Sequence, residues 1–325
     1  KSGQVILTGS AVPKDNVVQH TGTGRISRLL MRPMSLYESM ESNGSVSLKA
    51  LFDGETEIDN FSTLTIEQIA FAIVRGGWPA SIGESEKIAL RHAIDYVEAI
   101  INADVSRVDG IEKNPVRVRA LLRSLSRNIS TLATIRTIHD DIAMGDADES
   151  ISEKTISQYL GALDRIFVTE NLPAWNPALR SKTAIRTSPK RQFVDPSIAA
   201  AGMRLTPSRL LEDFNYFGFL FESLCDRDLR IYAEAIDGQV FHYRDGSGLE
   251  ADAVIALNDG RWAAVEVKLG SKEIEDAAVH LLELKNKVNT EKMREPSFLM
   301  ILTGTEIAYR REDGVYVVPL GCLKD

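Results

Sequence analysis

The sequence has few cysteines and no long apolar run. Its 325 residues include two cysteines, Cys225 and Cys322, which are too few for a disulfide framework or a cysteine-based zinc site. Runs of apolar residues, such as residues 298–302, are much shorter than the ~20 residues that a membrane-spanning helix needs. No signal peptide is visible. These absences favour a reducing, cytoplasmic setting without a membrane partner.

An overall excess of basic residues is also missing. Lys and Arg number 38 against 46 Asp and Glu, so the net charge is −8 and the chain as a whole repels nucleic acid. Any contact with DNA must therefore come from a local patch. Residues 176–192 carry five basic residues and no acidic one, and residues 111–136 carry six against one. The two segments favour DNA binding, although a solvated loop is the alternative for the first.

Apolar residues at helical spacing predict a helical region before residue 170. The predicted helices span residues 65–75, 84–103, 115–127, 131–142 and 152–167. Thr155 is a candidate N-cap for a recognition-type helix at 156–166. Short helices followed by the extended residues 172–175 are typical of a winged helix-turn-helix. Residues 41 to about 62 are polar and predict a loop or linker.

A winged helix predicts particular nucleic-acid contacts. Its recognition helix would present side chains to a major groove, and the basic stretch behind it would bind phosphates. The candidates are Lys154, Gln158, Arg165, Lys182, Arg186, Lys190 and Arg191. Many winged helices instead act as protein-interaction modules or rigid spacers, and the sequence leaves both interpretations open.

After residue 195 the pattern is that of an α/β domain. Apolar residues recur at steps of four, three, four and three from Leu210 to Leu224, which predicts an amphipathic helix. The segments that follow predict strands at 239–244, 250–257 and 261–268, a helix at 273–288, and strands at 297–303, 307–310 and 315–319. The order helix–strand–strand–strand–helix–strand indicates one domain of about 130 residues.

Two of these strands carry acidic side chains suited to one kind of chemistry. Glu266 and Lys268 share a face of their strand, and Asp252 lies on the preceding strand. Paired carboxylates bind Mg²⁺, which polarises a phosphodiester and its attacking water. A lysine beside them can orient that water and offset developing negative charge. Glu222, on the preceding helix, is a candidate for a further acid.

The residues Glu222, Asp252 and the Glu266-x-Lys268 pair, in this order on helix, strand and strand, resemble the PD-(D/E)XK nuclease superfamily with its restriction-endonuclease-like fold. Further strings resemble a family of prokaryotic AAA-type ATPases that carry a C-terminal domain of unknown function. They are LTGS at 7–10, GR at 24–25, RPMSLYE at 32–38, GGWP at 76–79, DP at 195–196 and LFE at 220–222.

The resemblance implies a multidomain α/β protein. Residues 1–40 would be a remnant of a P-loop ATPase core, 41–103 a linker and helical lid, 104–192 a winged-helix-like domain, and 193–325 the nuclease-like domain. Thr8 or Ser10 would sense the nucleotide phosphate, and Arg25 would face a phosphate. Asp252 and Glu266 would bind Mg²⁺, with Glu222 and Lys268 as further catalytic residues.

One element of that family is missing. No G-x-x-x-x-G-K-[ST] motif occurs, so we expect this chain not to hydrolyse ATP and to be the C-terminal part of a longer protein. ATP would then bind only to the ATPase half of the longer protein. A homo-oligomer would also form only through that half. Two functions stay open. One is an ATP-driven, DNA-associated enzyme with a Mg²⁺-dependent nuclease domain. The other is a nucleotide-switched regulator whose nuclease-like domain is a non-catalytic scaffold that binds DNA or protein.

Overall fold

A mixed β-sheet with helices on both faces forms the C-terminal part of the protein, and a bundle of short helices precedes it. The structure is a computed structural model that describes residues 6–9, 29–107, 113–145, 151–176, 188–288 and 293–325. Within these ranges the strands are β1 (Val46–Ser47), β2 (Asp59–Phe61), β3 (Gly238–Arg244), β4 (Glu250–Leu257), β5 (Trp262–Lys268), β6 (Leu299–Thr303), β7 (Ile307–Arg310), β8 (Tyr316–Pro319) and β9 (Leu323–Lys324).

The helices are mostly short, and one long helix leads into the sheet. In the described ranges they are α1 (Leu48–Phe52), α2 (Ile66–Arg75), α3 (Glu86–Ala99), α4 (Val105–Arg107), α5 (Pro115–Arg127), α6 (Ile135–Ala143), α7 (Glu153–Arg165), α8 (Pro196–Gly202), α9 (Pro207–Leu211), α10 (Phe214–Ala235) and α11 (Ile274–Lys287). A π-helical segment, Ile100–Asp104, joins α3 to α4.

The described sheet has seven strands in the order β2-β7-β8-β6-β5-β4-β3. Strands β5, β6 and β8 are parallel neighbours and the other pairs are antiparallel. The helix α11 provides the crossover between the parallel strands β5 and β6, as parallel pairing requires. The order α10-β3-β4-β5-α11-β6 confirms the predicted element order of this domain, with strand ends within two residues of the prediction.

The sheet is buried on both faces. Val265 and Val267 of β5 belong to the apolar core that contains α10, whereas Trp262 and Ala264 belong to the core that contains α11. This separation follows the alternation of side chains along the strand. Alternation along the sequence predicts Trp262 and Ala264 on the same face as Glu266, and Val265 and Val267 on the opposite face, and the two cores confirm this.

Local capping explains where the helices before the sheet begin. Thr65 and Gln68 form a reciprocal capping box on α2, and Asn114 caps α5 with Pro115 in its first turn. The side chain of Ser152 accepts the amide hydrogen bond of Thr155 at the start of α7. The expectation that Thr155 is itself the N-cap is wrong, because it lies inside the first turn.

The polar segment at 41–62 is part of the fold and not a linker. Strand β1 pairs in parallel with β9 at the C-terminus, and β2 pairs antiparallel with β7 at the edge of the sheet. Leu48, Leu51 and Phe52 of α1 are buried between these pairs. The prediction was wrong because elements of two to five residues are too short for apolar periodicity to reveal.

The high β propensity of residues 4–10 predicts a strand, which the resemblance makes a late strand of the ATPase core, but the described residues 6–9 form no strand. Residues 6–9 have no regular secondary structure, and Ile6 and Leu7 are exposed. The predicted ATPase strand therefore has no counterpart in residues 6–9, and its other positions lie outside the described residues.

Three of the strings named above, those at 32–38, 76–79 and 195–196, meet at one junction. The amide of Met34 donates to the carbonyl of Gly77 at 2.7 Å, and the amide of Gly77 donates to the carboxylate of Asp195 at 2.9 Å. The guanidinium of Arg227 lies between Asp195 and Asp228, and all three side chains are fully buried. The segment around Met34 is thereby fixed against α8 and α10.

Gly77 provides a test of this junction. A Cβ atom there would lie 2.1 Å from the carbonyl oxygen of Met34, which is rigid backbone. We therefore expect Gly77→Ala to reduce the free energy of unfolding by about 2 kcal/mol or more. The control is Gly161→Ala in the middle of α7, where a Cβ meets nothing within 4 Å. It should increase the free energy by up to about 1 kcal/mol. Equal effects in urea denaturation would contradict the close contact at Gly77.

Candidate functional site

Asp252, Glu266 and Lys268, the residues predicted on neighbouring strands, lie close together in the structure. Lys268 Nζ lies 2.8 Å from Glu266 Oε2 and 3.5 Å from Asp252 Oδ2. Asp252 Oδ2 also accepts the backbone N–H of Val267 at 2.8 Å. The ammonium therefore bridges two carboxylates that face each other across β4 and β5.

A β-bulge in β4 positions Asp252. Phe241 pairs with Val254 and Tyr243 pairs with Ala251, so two residues of β4, Asp252 and Ala253, oppose the single residue His242 of β3. A bulge leaves one residue out of the ladder and redirects its side chain. This local irregularity turns Asp252 toward β5, and simple strand alternation does not predict it.

Glu222 joins the same cluster through a second lysine. Lys190 Nζ forms an ion pair with Glu222 and donates to the backbone carbonyl of Asp252 at 2.7 Å. Lys190 is 6% exposed, so its positive charge is compensated by groups inside the protein and not by water. The cluster therefore consists of three carboxylates from α10, β4 and β5, with two ammonium groups between them.

The position of Lys190 depends on an extended segment that lies beside the sheet. Leu172 and Lys190 exchange backbone hydrogen bonds of 2.9 Å in each direction, and Trp175 N–H donates to the carbonyl of His242 in β3. The residues that a winged helix would use as its wing thus extend the edge of the sheet. This contact directs the side chain of Lys190 into the cluster.

The shifts of the carboxylate pKa values follow from burial and like charge. Burial, and then the charge of Asp252, raise the pKa of Glu266 to about 8, against the opposing effect of Lys268. Burial raises the pKa of Glu222 to about 8, with Lys190 opposing it. Burial also disfavours ionised Asp252, but the charges of Lys190 and Lys268 outweigh it and its pKa is lowered. Asp252 is thus the most firmly ionised of the three.

Two further side chains in this region were not predicted. Asp226 lies one turn after Glu222 on α10 and is fully buried, and its Oδ2 accepts a 2.7 Å hydrogen bond from Gln192. The spacing of four residues from Glu222 was a signal that could have revealed Asp226. No local pattern marks Gln192, which belongs to the same extended segment as Lys190.

A cavity of about 240 Å³ opens beside the cluster. Its walls include Lys190, Glu222, Asp252, His242 and the aromatic residue Phe219. His242 is 1% exposed, and its Nε2 atom has no hydrogen-bond partner within the described residues. A buried nitrogen without a partner, together with Glu222 and Asp252, makes the cavity wall polar.

We expect acidification from pH 6.5 to 4 to destabilise the protein through His242. Burial, and then the charge of Lys190, lower the pKa of His242 to about 4 in the folded protein. The unfolded side chain has a pKa of about 6.5 and binds more protons in this interval, so the free energy of unfolding falls as the pH falls. The loss is on the order of 3 kcal/mol at most. Urea denaturation at several pH values should show it, with a smaller loss for His242→Gln. Identical pH profiles would contradict this origin.

The donor set suits a hard cation only in part. Glu266 Oε1 is buried and accepts no hydrogen bond among the described residues, which is the environment that a proton or a cation would satisfy. Carboxylate oxygens are the ligands that Mg²⁺ prefers, and one or two carboxylates suffice because Mg²⁺ keeps several waters. In the described part of the chain, no group of three or more His, Cys, Asp or Glu side chains is arranged to hold a metal ion. Asp252 and Glu266 fit a two-carboxylate site, while Glu222 is engaged by Lys190.

Some predicted nucleic-acid contacts lie on an exposed helix. Lys154 and Gln158 are one turn apart on α7 and both are exposed, whereas Arg165 is half-buried at the end of the helix. Lys182 and Arg186 lie outside the described residues.

The interpretation of Lys190 and Arg191 as surface phosphate contacts needs correction. Lys190 is buried in the acidic cluster, and Arg191 Nε donates to the carbonyl of Ala133 at 2.9 Å. Burial lowers the pKa of Arg191 despite the nearby Asp164. Both side chains therefore form hydrogen bonds inside the protein and are not free to bind phosphate at the surface.

Of the three predicted nucleotide contacts, Thr8 alone lies within the described residues. Thr8 lies in the short exposed segment 6–9 and contacts no nucleotide-binding element there. Ser10 and Arg25 lie outside the described residues. None of the described helices has both the length and the apolar character needed to cross a membrane.

Two family models match the chain in turn. Residues 66–209 match a Domain of unknown function (DUF8612), and residues 217–323 match a Domain of unknown function (DUF4143). Neither match covers half of the chain. No curated protein and no solved structure matches it significantly.

Where the two matches adjoin, their limits lie inside helices α9 and α10. The first runs from α2 to α9 and so combines the predicted lid and winged-helix domains in one unit, together with α8 and α9. The second begins within α10 and ends at β9, and it contains Glu222, Asp252, Glu266 and Lys268. The boundary between the matches lies about 20 residues after the predicted one at residue 193.

Proposed function

We propose that the C-terminal α/β domain is a Mg²⁺-dependent phosphodiesterase that acts on nucleic acid. The observation that carries this proposal is the convergence of Asp252, Glu266 and Lys268, together with an Oε1 atom of Glu266 that is buried and has no hydrogen-bond partner among the described residues. The element order α10-β3-β4-β5-α11-β6, with Glu222 on α10, supports it because the same order characterises the nuclease-like fold that the sequence resembles.

The side chains divide the work in this proposal. Asp252 and Glu266 would hold Mg²⁺, which polarises the phosphodiester and its attacking water. Lys268 contacts the carboxylates of both Asp252 and Glu266. From this position its ammonium group can orient the water and offset the negative charge that develops on the oxygens of the phosphate. Lys190 reduces the repulsion between the carboxylates and an approaching phosphate.

The wider setting is also a proposal. A DUF4143 domain is commonly found with AAA ATPase-like proteins, which supports an ATP-dependent, DNA-associated protein of which this chain is a part. In that protein ATP would bind to the AAA-type half, and that half would also form any homo-oligomer. Lys154 and Gln158 on the exposed face of α7 would contact DNA.

A second function is favoured by one specific observation. Glu222 is held by Lys190, and the described side chains include no three-ligand group. A site closed in this way suits a non-catalytic scaffold that binds DNA or protein under nucleotide control. The two proposals differ in whether the site binds a divalent cation.

Calorimetry of Mg²⁺ and Mn²⁺ binding tests the catalytic proposal. We expect a single site whose binding heat disappears in Asp252→Asn and in Glu266→Gln, because each variant removes one of two charged ligands. The control is Glu250→Gln, two residues before Asp252 on the same strand and exposed. Binding that survives both ligand substitutions, or cleavage of no DNA or RNA in Mn²⁺ by the wild-type protein, would favour the scaffold.

A further inference from the structure

A second cavity lies in the helical region, far from the acidic cluster in the sequence. Its volume is about 830 Å³, and its walls come from α3, α5 and the segment that joins α8 to α9. The floor is apolar and includes Ala93, Val97, Ile101, Leu122 and Leu205. Small-molecule sites in proteins have volumes of ~300–1,000 Å³ and apolar linings, so the cleft has the size of such a site.

The rim of this cleft is strongly basic. Four arginines line it, and the acidic residue among the lining side chains is Glu98. Arg119 forms a two-pronged ion pair with Glu98, with both distances 2.8 Å. The guanidinium groups of Arg123 and Arg204 form no hydrogen bond or ion pair with the part of the chain that the structure describes, although the charge of Arg204 helps to lower the pKa of Glu98. Two guanidinium groups are therefore available at the edge of an apolar floor.

The backbone at Arg204 provides an independent observation. Its φ angle is +54°, in the left-handed region, directly after the C-cap of α8. The amide of Leu205 closes this turn onto the carbonyl of Ala200 at 2.9 Å, which is the Schellman geometry that glycine favours at this position. An arginine here is strained, and backbone strain of this kind is common at ligand-binding sites.

We infer that this cleft binds a small organic anion with an apolar body. The floor would cover the apolar body, and Arg123 and Arg204 would bind a carboxylate, sulfonate or phosphate group at the rim. Guanidinium groups match such groups with paired, charge-assisted hydrogen bonds. The volume of the cleft fits a compact molecule. The residues that line this cleft include none of the residues that line the cavity beside the acidic cluster.

Anilinonaphthalene sulfonate is a suitable probe because it combines two aromatic rings with one anionic group. We expect it to bind the full chain at one site in fluorescence titration. N-phenylnaphthylamine, the same molecule without the sulfonate, should bind at least about tenfold more weakly, because it cannot use the arginines. Equal affinity for the two probes would overturn the selection for anions.

Matched variants locate the site. Ile94→Glu places a negative charge at the cleft, whereas Ile88→Glu makes the same change on the same helix outside it. Arg123→Gln removes a rim charge, and Arg136→Gln on α6 removes a charge elsewhere. We expect about a tenfold loss of sulfonate affinity for Ile94→Glu and Arg123→Gln, and none for their controls. Equal losses within each pair, or no loss in either, would overturn the proposal.

Arg204→Gly separates ligand binding from folding. Glycine relieves the left-handed strain, so the Tm should rise by roughly 1–3 °C while the affinity for the sulfonate falls. Opposite changes in stability and affinity are not expected of a residue with a purely structural role. A variant that loses stability and keeps its affinity would overturn the assignment of Arg204.

Discussion

Lys268→Met is expected to reduce Mg²⁺- or Mn²⁺-dependent cleavage by a factor of about 10²–10⁴. The side chain lies 2.8 Å from Glu266 and 3.5 Å from Asp252, so it is the group best placed to orient a water beside both carboxylates. Methionine keeps the length of the side chain and removes its charge. The rate of cleavage of labelled DNA and RNA, measured at equal protein concentration, gives the comparison.

The matched control is Lys272→Met, which makes the same substitution four residues later at an exposed position. It should cleave at the wild-type rate. Circular dichroism and the Tm of both variants establish that the fold is retained, which keeps loss of activity distinct from unfolding. A Lys268→Met protein that is folded and cleaves normally would remove Lys268 from the proposed catalytic residues.

Lys190→Met is expected to lower the free energy of unfolding by about 3–5 kcal/mol. The ammonium compensates the half-buried Glu222 and also lies near the fully buried Asp226 and the half-buried Asp252, and these carboxylates keep the pKa of Lys190 above its usual value although burial opposes this. Without the lysine, buried carboxylates must either stay ionised without a partner or take up protons. This loss is a large part of the ~5–15 kcal/mol that usually stabilises a domain. Urea denaturation measures it.

The double variant Lys190→Met/Glu222→Gln identifies the cause. Removing the paired carboxylate together with the lysine should recover at least half of the loss, because no uncompensated charge then remains at this pair. Lys154→Met on the exposed face of α7 is the control and should change the free energy by less than about 0.5 kcal/mol. A Lys190→Met variant as stable as this control would show that the ion pair contributes little.

The strands and helices that bury a full face were predictable because their periodicity is strong. Strand β4 and helix α5 match the predicted bounds, and the capping residues Thr65 and Ser152 lie where the predicted helices begin. Such elements are marked by repeated apolar positions over seven or more residues or by turn residues on both sides. Short elements such as β1 and β2 lack that signal, and their pairing with β9 and β7 depends on contacts over 240 residues or more along the chain.

In the acidic cluster, too, one part was predictable from the sequence and the other depended on tertiary contacts. The Glu266-x-Lys268 spacing places both side chains on one face of a strand, so the sequence by itself determined that a carboxylate and an ammonium lie side by side. Tertiary structure decided the rest. The bulge at Asp252 depends on the register of β3 against β4, and Lys190 enters the cluster because residues 172 and 190 pair beside the edge of the sheet.

A basic stretch in the sequence suggests a phosphate-binding surface, because no local sequence pattern distinguishes a solvated lysine from a buried one. Burial is a property of the assembled layers, and it converted Lys190 into a partner of Glu222. The sequence determined the element order, the alternation of the strands and the residues able to carry the chemistry. The packing of the extended segment on the sheet decided which charges meet, because charges far apart in the chain interact strongly only where folding removes the water between them.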